Sequence, residues 1–449
     1  MDYNKMKTST LFLKYVIPQM IGLVFNSIYF IVDGMFIGRR LGTNALAAAG
    51  VAVPVVEIMI ALSMLIAVGT GVIISSANGR GDTKMARNAF NLSMVFTVGF
   101  SVAIAVLGVL FAQPMARFLG AGDVILGDTV TYLQYFLAFS PFLVLSFTLS
   151  TYARNDGKPG LAMWSLLIGS ISNIVLDYVF MYPLDMGIAG AALATGLGPV
   201  FSVLILLPHF LRKKGNLYFQ KTRFSLKLLL KIGINGLPAF VAEFSIGFVT
   251  LLYNLAIVKN GLGDDGLAAY VVIGYAALIC LTAFLGAAQG VQPAISYFTG
   301  AEEWGRIRRL FKATVWFNVL MGILFYVLLF FGGRLFFSIF IDTNAELLAF
   351  TSGVGQIYFS NLPLAAFNIL LISFLQSMGN TGSAMAVSLS RSTLPVFVFL
   401  TVLPALLGQT GLWLAVAFAE AVTLLLGVLL WKRAWAAKRK SVTARADAG

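Results

Sequence analysis

Twelve stretches of apolar residues follow one another along the 449-residue chain, at positions 11–38, 46–75, 90–112, 130–152, 161–181, 188–211, 231–258, 267–297, 310–333, 350–376, 383–405 and 410–432. At about 1.5 Å per residue, a helix of roughly 20 to 30 residues crosses the ~30 Å hydrocarbon core of a bilayer. Hydrocarbon supplies no partners for backbone N–H and C=O groups, so each stretch must satisfy its own as a helix. Hydrophobic residues make up 59% of the chain and charged residues 11%, with a mean hydropathy of +0.90. A soluble globule, usually about 45 to 50% apolar, does not reach this. The expectation is an all-α integral membrane protein. The first ten residues are polar, and the stretch Leu11 to Ile37 lacks a small-residue cleavage site, so the first helix reads as retained rather than as a removable signal.

The net charge of +13 raises nucleic acid as a partner, and the placement of the charges argues against it. The N-terminus, the 2/3, 4/5, 6/7 and 8/9 connections and the C-terminal tail hold 25 of the 31 basic residues. The other side holds Arg39, Arg40, Arg117, Lys259 and Arg334, and Arg391 lies inside the eleventh stretch. Such asymmetry follows the positive-inside rule and predicts cytoplasmic termini. The bilayer is the partner this charge addresses. Cys280 is alone, which excludes an intrachain disulfide and a thiolate metal site. With a single histidine, His209, and no nucleophile motif or phosphate-cradling glycine loop, enzyme chemistry has little to stand on.

The segment Leu41-Gly42-Thr43-Asn44-Ala45-Leu46-Ala47-Ala48 recurs 221 residues later as Leu262-Gly263-Asp264-Asp265-Gly266-Leu267-Ala268-Ala269. Six crossings return the chain to its starting side, so the two repeats are parallel. They predict two six-helix lobes related by a pseudo-twofold axis along the membrane normal: 1–213 as the first lobe, 214–230 as a cytoplasmic linker, 231–435 as the second lobe and 436–449 as a basic tail.

Five acids fall inside the apolar stretches: Asp33, Glu57, Asp177, Glu243 and Glu420. A charge at the centre of a membrane helix costs at least ~2.5 kcal/mol, so each needs a partner, a proton or an ion. Counted from the outer ends of the first and fifth helices, Asp33 and Asp177 are ~7 and ~6 Å deep. Asn173 shares a helix face with Asp177 through the i, i+4 spacing, and Thr195 enters on the sixth helix ~10 Å deep. Two carboxylates, an amide oxygen and a hydroxyl at one level suit a sodium ion or a shared proton. Each of Asn173 and Thr195 alone also reads as an ordinary interhelical hydrogen bond. Depth further pairs Arg391 with Glu420 in a structural ion pair. Glu57 and the mid-membrane Glu243 form a possible second acidic site, Glu57 either facing a cleft between lobes or simply hydrogen-bonded. Tyr29 and Phe30, which flank Asp33, and Tyr132 and Tyr135 on the fourth helix read as partial walls of a first-lobe cavity.

The string Val32-Asp33-Gly34-Met35-Phe36-Ile37-Gly38, followed by Leu41-Gly42 and Ala45-Leu46-Ala47-Ala48, resembles the first-repeat signature of the multidrug and toxic compound extrusion (MATE) transporters. So do Arg154-Asn155-Asp156-Gly157, Asn173-Ile174-Val175-Leu176-Asp177 and the run from Gly187 to Thr195. The likeness covers residues 10 to 435. It implies a prokaryotic cytoplasmic-membrane antiporter that works as a monomer without a cofactor. Cationic, amphipathic organic compounds would leave in exchange for sodium or protons. It also implies that Asp33, Asn173, Asp177 and Thr195 hold the coupling cation, that Asn26 and Tyr29 line the substrate cavity, that Pro18 bends the first helix, and that Glu243 matches a second-lobe acid. The acid some members carry on the tenth helix has no match here. The alternatives are a lipid-linked precursor flippase of the same superfamily, which would present basic residues to an anionic headgroup, and a membrane-embedded enzyme or scaffold.

Overall fold

The computed structural model describes residue 3, residues 6–341 and residues 344–446, with side chains as far as residue 436. Most of the expected basic tail at 436–449 therefore lies outside the described side chains. Among the described residues the secondary structure is entirely helical, and twelve helical spans are long and apolar enough to cross a bilayer. The protein is a multi-pass membrane protein. The first lobe consists of α1 (Thr8–Leu41), α2 (Thr43–Gly79), α3 (Thr83–Leu110), the short α4 (Ala112–Phe118), α5 (Leu126–Asn155), α6 (Pro159–Met181) and α7 (Gly187–Leu211). The second lobe consists of α8 (Leu226–Lys259), α9 (Gly263–Gly300), α10 (Trp304–Phe337), α11 (Ala345–Tyr358), α12 (Leu362–Ser377), α13 (Thr381–Ser392), α14 (Leu394–Leu407) and α15 (Gln409–Ala446).

Two of the twelve spans are broken where uninterrupted helices were expected. The tenth comprises α11 and α12 joined by a 3-10 turn at Phe359–Asn361, with Pro363 in the first turn of α12. The eleventh breaks at Thr393, whose ψ of −99° leaves the helical region, and Pro395 opens α14. Proline has no N–H to donate and fits best in the first turn of a helix, which is where Pro363 and Pro395 stand after these two breaks. Pro18, by contrast, lies inside an unbroken α1.

Small residues bring the lobes together. In the half of the membrane nearer the N-terminus and the inter-lobe linker, hereafter the basic side, a β-carbon at Gly69 of α2 would overlap the carbonyl oxygen of Ile232 on α8. One at Gly290 of α9 would lie 2.8 Å from the carbonyl oxygen of Tyr15 on α1. One at Gly79 would overlap the Tyr297 carbonyl of α9, and one at Gly300 the Ser76 carbonyl of α2. Gly69 and Gly290 stand 221 residues apart, as do Gly79 and Gly300, so the duplication seen in sequence is also a duplication of contacts. The last two meet each other's helix across the pseudo-axis. Gly286, against Met20, adds a second clamp on α1 beside Pro18.

Polar side chains reinforce the same seam. Arg154, 3% exposed at the end of α5, donates to Gln19 Oε1 on α1, and Gln19 Nε2 donates to Gln289 Oε1 on α9 at 3.2 Å. The chain of bonds thus runs from the first lobe into the second. On the same side, His209 of α7 pairs with Asp156 at 2.8 Å, and Asp156 also accepts the backbone N–H of Asn216 from the linker.

Filling one of these crossings forces α2 and α9 apart. Gly300→Val is expected to lower the melting temperature in detergent by several degrees. In a Ser76→Cys background, where the native Cys280 is buried, it should increase labelling by a membrane-impermeant maleimide. Unchanged melting and labelling would show that the seam does not need the glycine.

Candidate functional site

The lobe interior around Asp33 is built by α1, α5, α6 and α7. Glycine and alanine dominate α7 from Gly187 to Gly198, and a β-carbon at Gly198 would come within 3.0 Å of the Gly169 carbonyl on α6. Backbones that approach so closely bring short polar side chains from facing helices into one space. Asp177 is fully buried, and Asp33, Asn173 and Thr195 are nearly so. The carboxyl groups of Asp33 and Asp177 lie within interaction range of each other. Among the described residues neither takes part in an ion pair. Asp33 Oδ1, both carboxylate oxygens of Asp177 and both polar atoms of the Asn173 amide are buried without a hydrogen-bond partner there.

The neighbours sharpen what this cluster offers. The hydroxyls of Tyr29 and Tyr132 lie within electrostatic range of both carboxyl groups, and Tyr132 reaches Thr195. Thr195 donates its own hydroxyl proton to the Ala191 carbonyl at 3.0 Å and so presents lone pairs to the site. Two acidic groups cannot both stay charged side by side without positive charge between them or a proton on one of them. The oxygens present therefore fit a small hard cation or a proton. Among the described residues no group of three His, Cys, Asp or Glu side chains stands ready for a transition metal.

The other residues singled out in the sequence take different places. Asn26 sits at the Tyr29 hydroxyl. The Phe30 ring packs 5.7 Å from Tyr29. Tyr135 is 39% exposed, whereas Tyr132, three residues earlier on the same helix, is buried at the site. Glu57 of α2 lies against Gly247 of α8, its Oε2 3.0 Å from where a β-carbon would stand, and Glu243 of α8 has Glu57 and Arg391 as its charged neighbours. These two acids thus face each other between lobes, apart from the Asp33 cluster. Arg391 Nε donates to Glu420 Oε1 at 2.8 Å, and Asn368 Nδ2 donates to Glu420 Oε2 at 2.7 Å. Both carboxylate oxygens of Glu420 are thereby satisfied.

A small chamber of about 20 Å³, room for about one water, adjoins the acid pair on its basic side. Asn26 and Tyr29 from α1, Ser146 from α5, Ser170 and Asn173 from α6, and Thr195 and Ser202 from α7 line it. The three serines did not stand out in the sequence. A lone hydroxyl in a membrane helix carries no signal, although Ser170 and Ser202, seven residues inward from Asp177 and Thr195, repeat those faces two turns on. The Arg154–Gln19–Gln289 chain escaped notice as well, because Gln19 and Gln289 meet only when the lobes do.

The MatE family model matches residues 18–179 and 238–402, once in each lobe. The chain is 25% identical over 418 residues to the multidrug export protein MepA of Staphylococcus saprophyticus, covering 93% of this chain and 92% of that protein. Its fold is similar to that of an outward-facing multidrug resistance MATE family transporter of the MOP superfamily (TM-score 0.91, 21% identity, 98% of both chains). It is also similar in fold to a MOP superfamily transporter of Pyrococcus furiosus whose binding pocket is described as having reverse polarity (TM-score 0.90, 21% identity, 97% of this chain and 98% of that one).

The ion pair in the second lobe yields a stability test. Arg391→Met strands a buried carboxylate and is expected to cost about 3 kcal/mol. Adding Glu420→Gln should restore most of this, since a neutral amide still engages Asn368. Thermal unfolding in detergent measures both, and a double variant no more stable than Arg391→Met would show that Arg391 acts through packing alone.

Proposed function

The chain belongs to the MatE family, and from that premise we propose that it is a multidrug efflux antiporter, expelling cationic amphipathic organic compounds in exchange for sodium or protons. Its work is transport rather than catalysis, in keeping with the export proteins it resembles. The observation that carries the coupling is the pair Asp33 and Asp177, buried side by side with Asn173 and Thr195 and without a basic partner among the described residues. Empty, the pair bears a charge that lipid and protein do not answer. Loaded with a cation or a proton, it becomes neutral or nearly so, and the helices that hold it can pack closer. The coupling free energy comes from the difference in cation and drug affinity between the two states, as linkage requires.

We take the basic side to be the cytoplasm, the membrane to be a prokaryotic cytoplasmic membrane, and both termini to be inside, on the positive-inside distribution of charge. The glycine seam and the Arg154–Gln19–Gln289 chain then close the protein to the cytoplasm. One chain contains both lobes, which supports a monomer as the working unit. Glu57 and Glu243, one from each lobe, give the cleft an acidic lining suited to organic cations. A flippase for anionic headgroups fits less well: of the basic groups inside the protein, Arg391 is held by Glu420 and Arg154 by Gln19 and Thr151.

Proteoliposomes test this reading. Ethidium movement should follow an imposed sodium or proton gradient, and the gradient that drives it identifies the coupling ion. Flux indifferent to both gradients would refute antiport. Asp33→Asn is expected to reduce gradient-driven efflux to roughly a tenth or less while leaving yield and melting temperature near those of the unmodified protein, an effect on the order of that of a lost charge partner. Full efflux from that variant would remove Asp33 from the coupling site.

A further inference from the structure

The chamber beside the acid pair has a polarity of its own. Ser146 Oγ donates to the Leu143 carbonyl at 2.8 Å, Ser202 Oγ to the Ser165 carbonyl at 2.8 Å and Thr195 Oγ1 to the Ala191 carbonyl at 3.0 Å. With their protons committed to backbone carbonyls, these three hydroxyls turn lone pairs toward the interior. Ser170 Oγ and the Asn173 amide, 3% and 2% exposed, line the same space and have no hydrogen-bond partner among the described residues. Asn26, Tyr29, Ser170 and Asn173 can donate as well as accept, and no charged side chain lines the space, so what it offers a cation is a ring of neutral oxygens, three of them with their protons already committed.

Position gives this polarity a direction. α6 runs away from the basic side and α7 runs toward it, so Ser170 and Ser202 each lie about two turns, or ~10 Å, further toward the basic side than Asp177 and Thr195. Asn173 stands between, on the wall shared by acid pair and chamber. Gly169 keeps the space open: a β-carbon there would overlap Ser202 Oγ.

We propose that this chamber is a second, carboxylate-free seat for the coupling cation, a sodium ion or a hydronium ion, into which it steps from Asp33 and Asp177 on its way toward the basic side. The proposal rests on the antiport reading and adds a location to it. Held only by neutral oxygens, a cation binds more weakly here than between two carboxylates, which makes the chamber a place of release rather than storage. Asn173 Oδ1 serves both seats, so the ion is never without a ligand during the step.

The test compares binding with turnover in purified, reconstituted protein. Ser170→Ala combined with Ser202→Ala should leave equilibrium binding of radioactive sodium, or proton uptake read by a pH dye, within about twofold of the unmodified protein, since the carboxylate ligands remain. Gradient-driven ethidium exchange should fall about tenfold, the scale of losing a hydrogen-bonding ligand in a buried site. Ser170→Thr keeps a hydroxyl and should retain most of the turnover, which separates loss of a ligand from damage to the fold. Normal exchange by the double variant would overturn the seat, as would an equal loss of binding and turnover. Failure of the unmodified protein to exchange with any gradient would instead remove the antiport reading on which the seat depends.

Discussion

The structure is organised by the inability of a membrane interior to leave charge unanswered. Of the five acids within the spans, Glu420 is answered inside the protein, by Arg391 and Asn368. Asp33 and Asp177 are answered by nothing basic among the described residues, and each is the other's chief electrostatic neighbour. The first arrangement fixes helices in place. The second leaves a site whose charge depends on what it holds, and a charge that changes is what a transport cycle can act upon.

The two lobes share a scaffold without sharing this chemistry. Glycine contacts recur at the 221-residue spacing, yet the position 221 residues after Asp33 is Asn254. Around it the second lobe is filled by stacked and edge-on aromatic rings: Tyr253 packs 4.8 Å from Tyr270, and Tyr358 and Trp413 close on the same group. Rings packed in this way bury much surface while their hydroxyls find partners, as where Tyr253 Oη accepts the Val416 backbone N–H at 3.2 Å. The corresponding space of the second lobe is thus given over to ring packing, and no acid stands at the position that matches Asp33.

Much of this was legible in the sequence, for identifiable reasons. Apolar length set the twelve spans, and counting residues from their ends put Asp33 beside Asp177 and Arg391 beside Glu420, because a helix converts sequence position directly into depth. Direction around a helix was harder to read. Tyr132 and Tyr135 looked equivalent, but three residues turn a helix through most of a circle without completing it, and only Tyr132 faces the acids. The breaks at Phe359–Asn361 and Thr393 carried proline as their sole mark, and Pro18 bears the same mark within an unbroken α1. Contacts between lobes, such as Gln19 with Gln289, exist only in the assembled protein and leave no pattern at short range.

The seam between lobes has a bearing on how such a machine tolerates its surroundings. Its main contacts are backbone against glycine, and its polar chain joins two amides to a guanidinium, a group that stays charged throughout the physiological range. Packing forces of this type are individually small and do not respond to ionic strength or acidity. The glycine contacts and the amide–guanidinium chain of the seam are therefore held by forces that salt and pH barely touch, and in the proposed cycle the charge that changes belongs to the carboxylates deeper in the membrane.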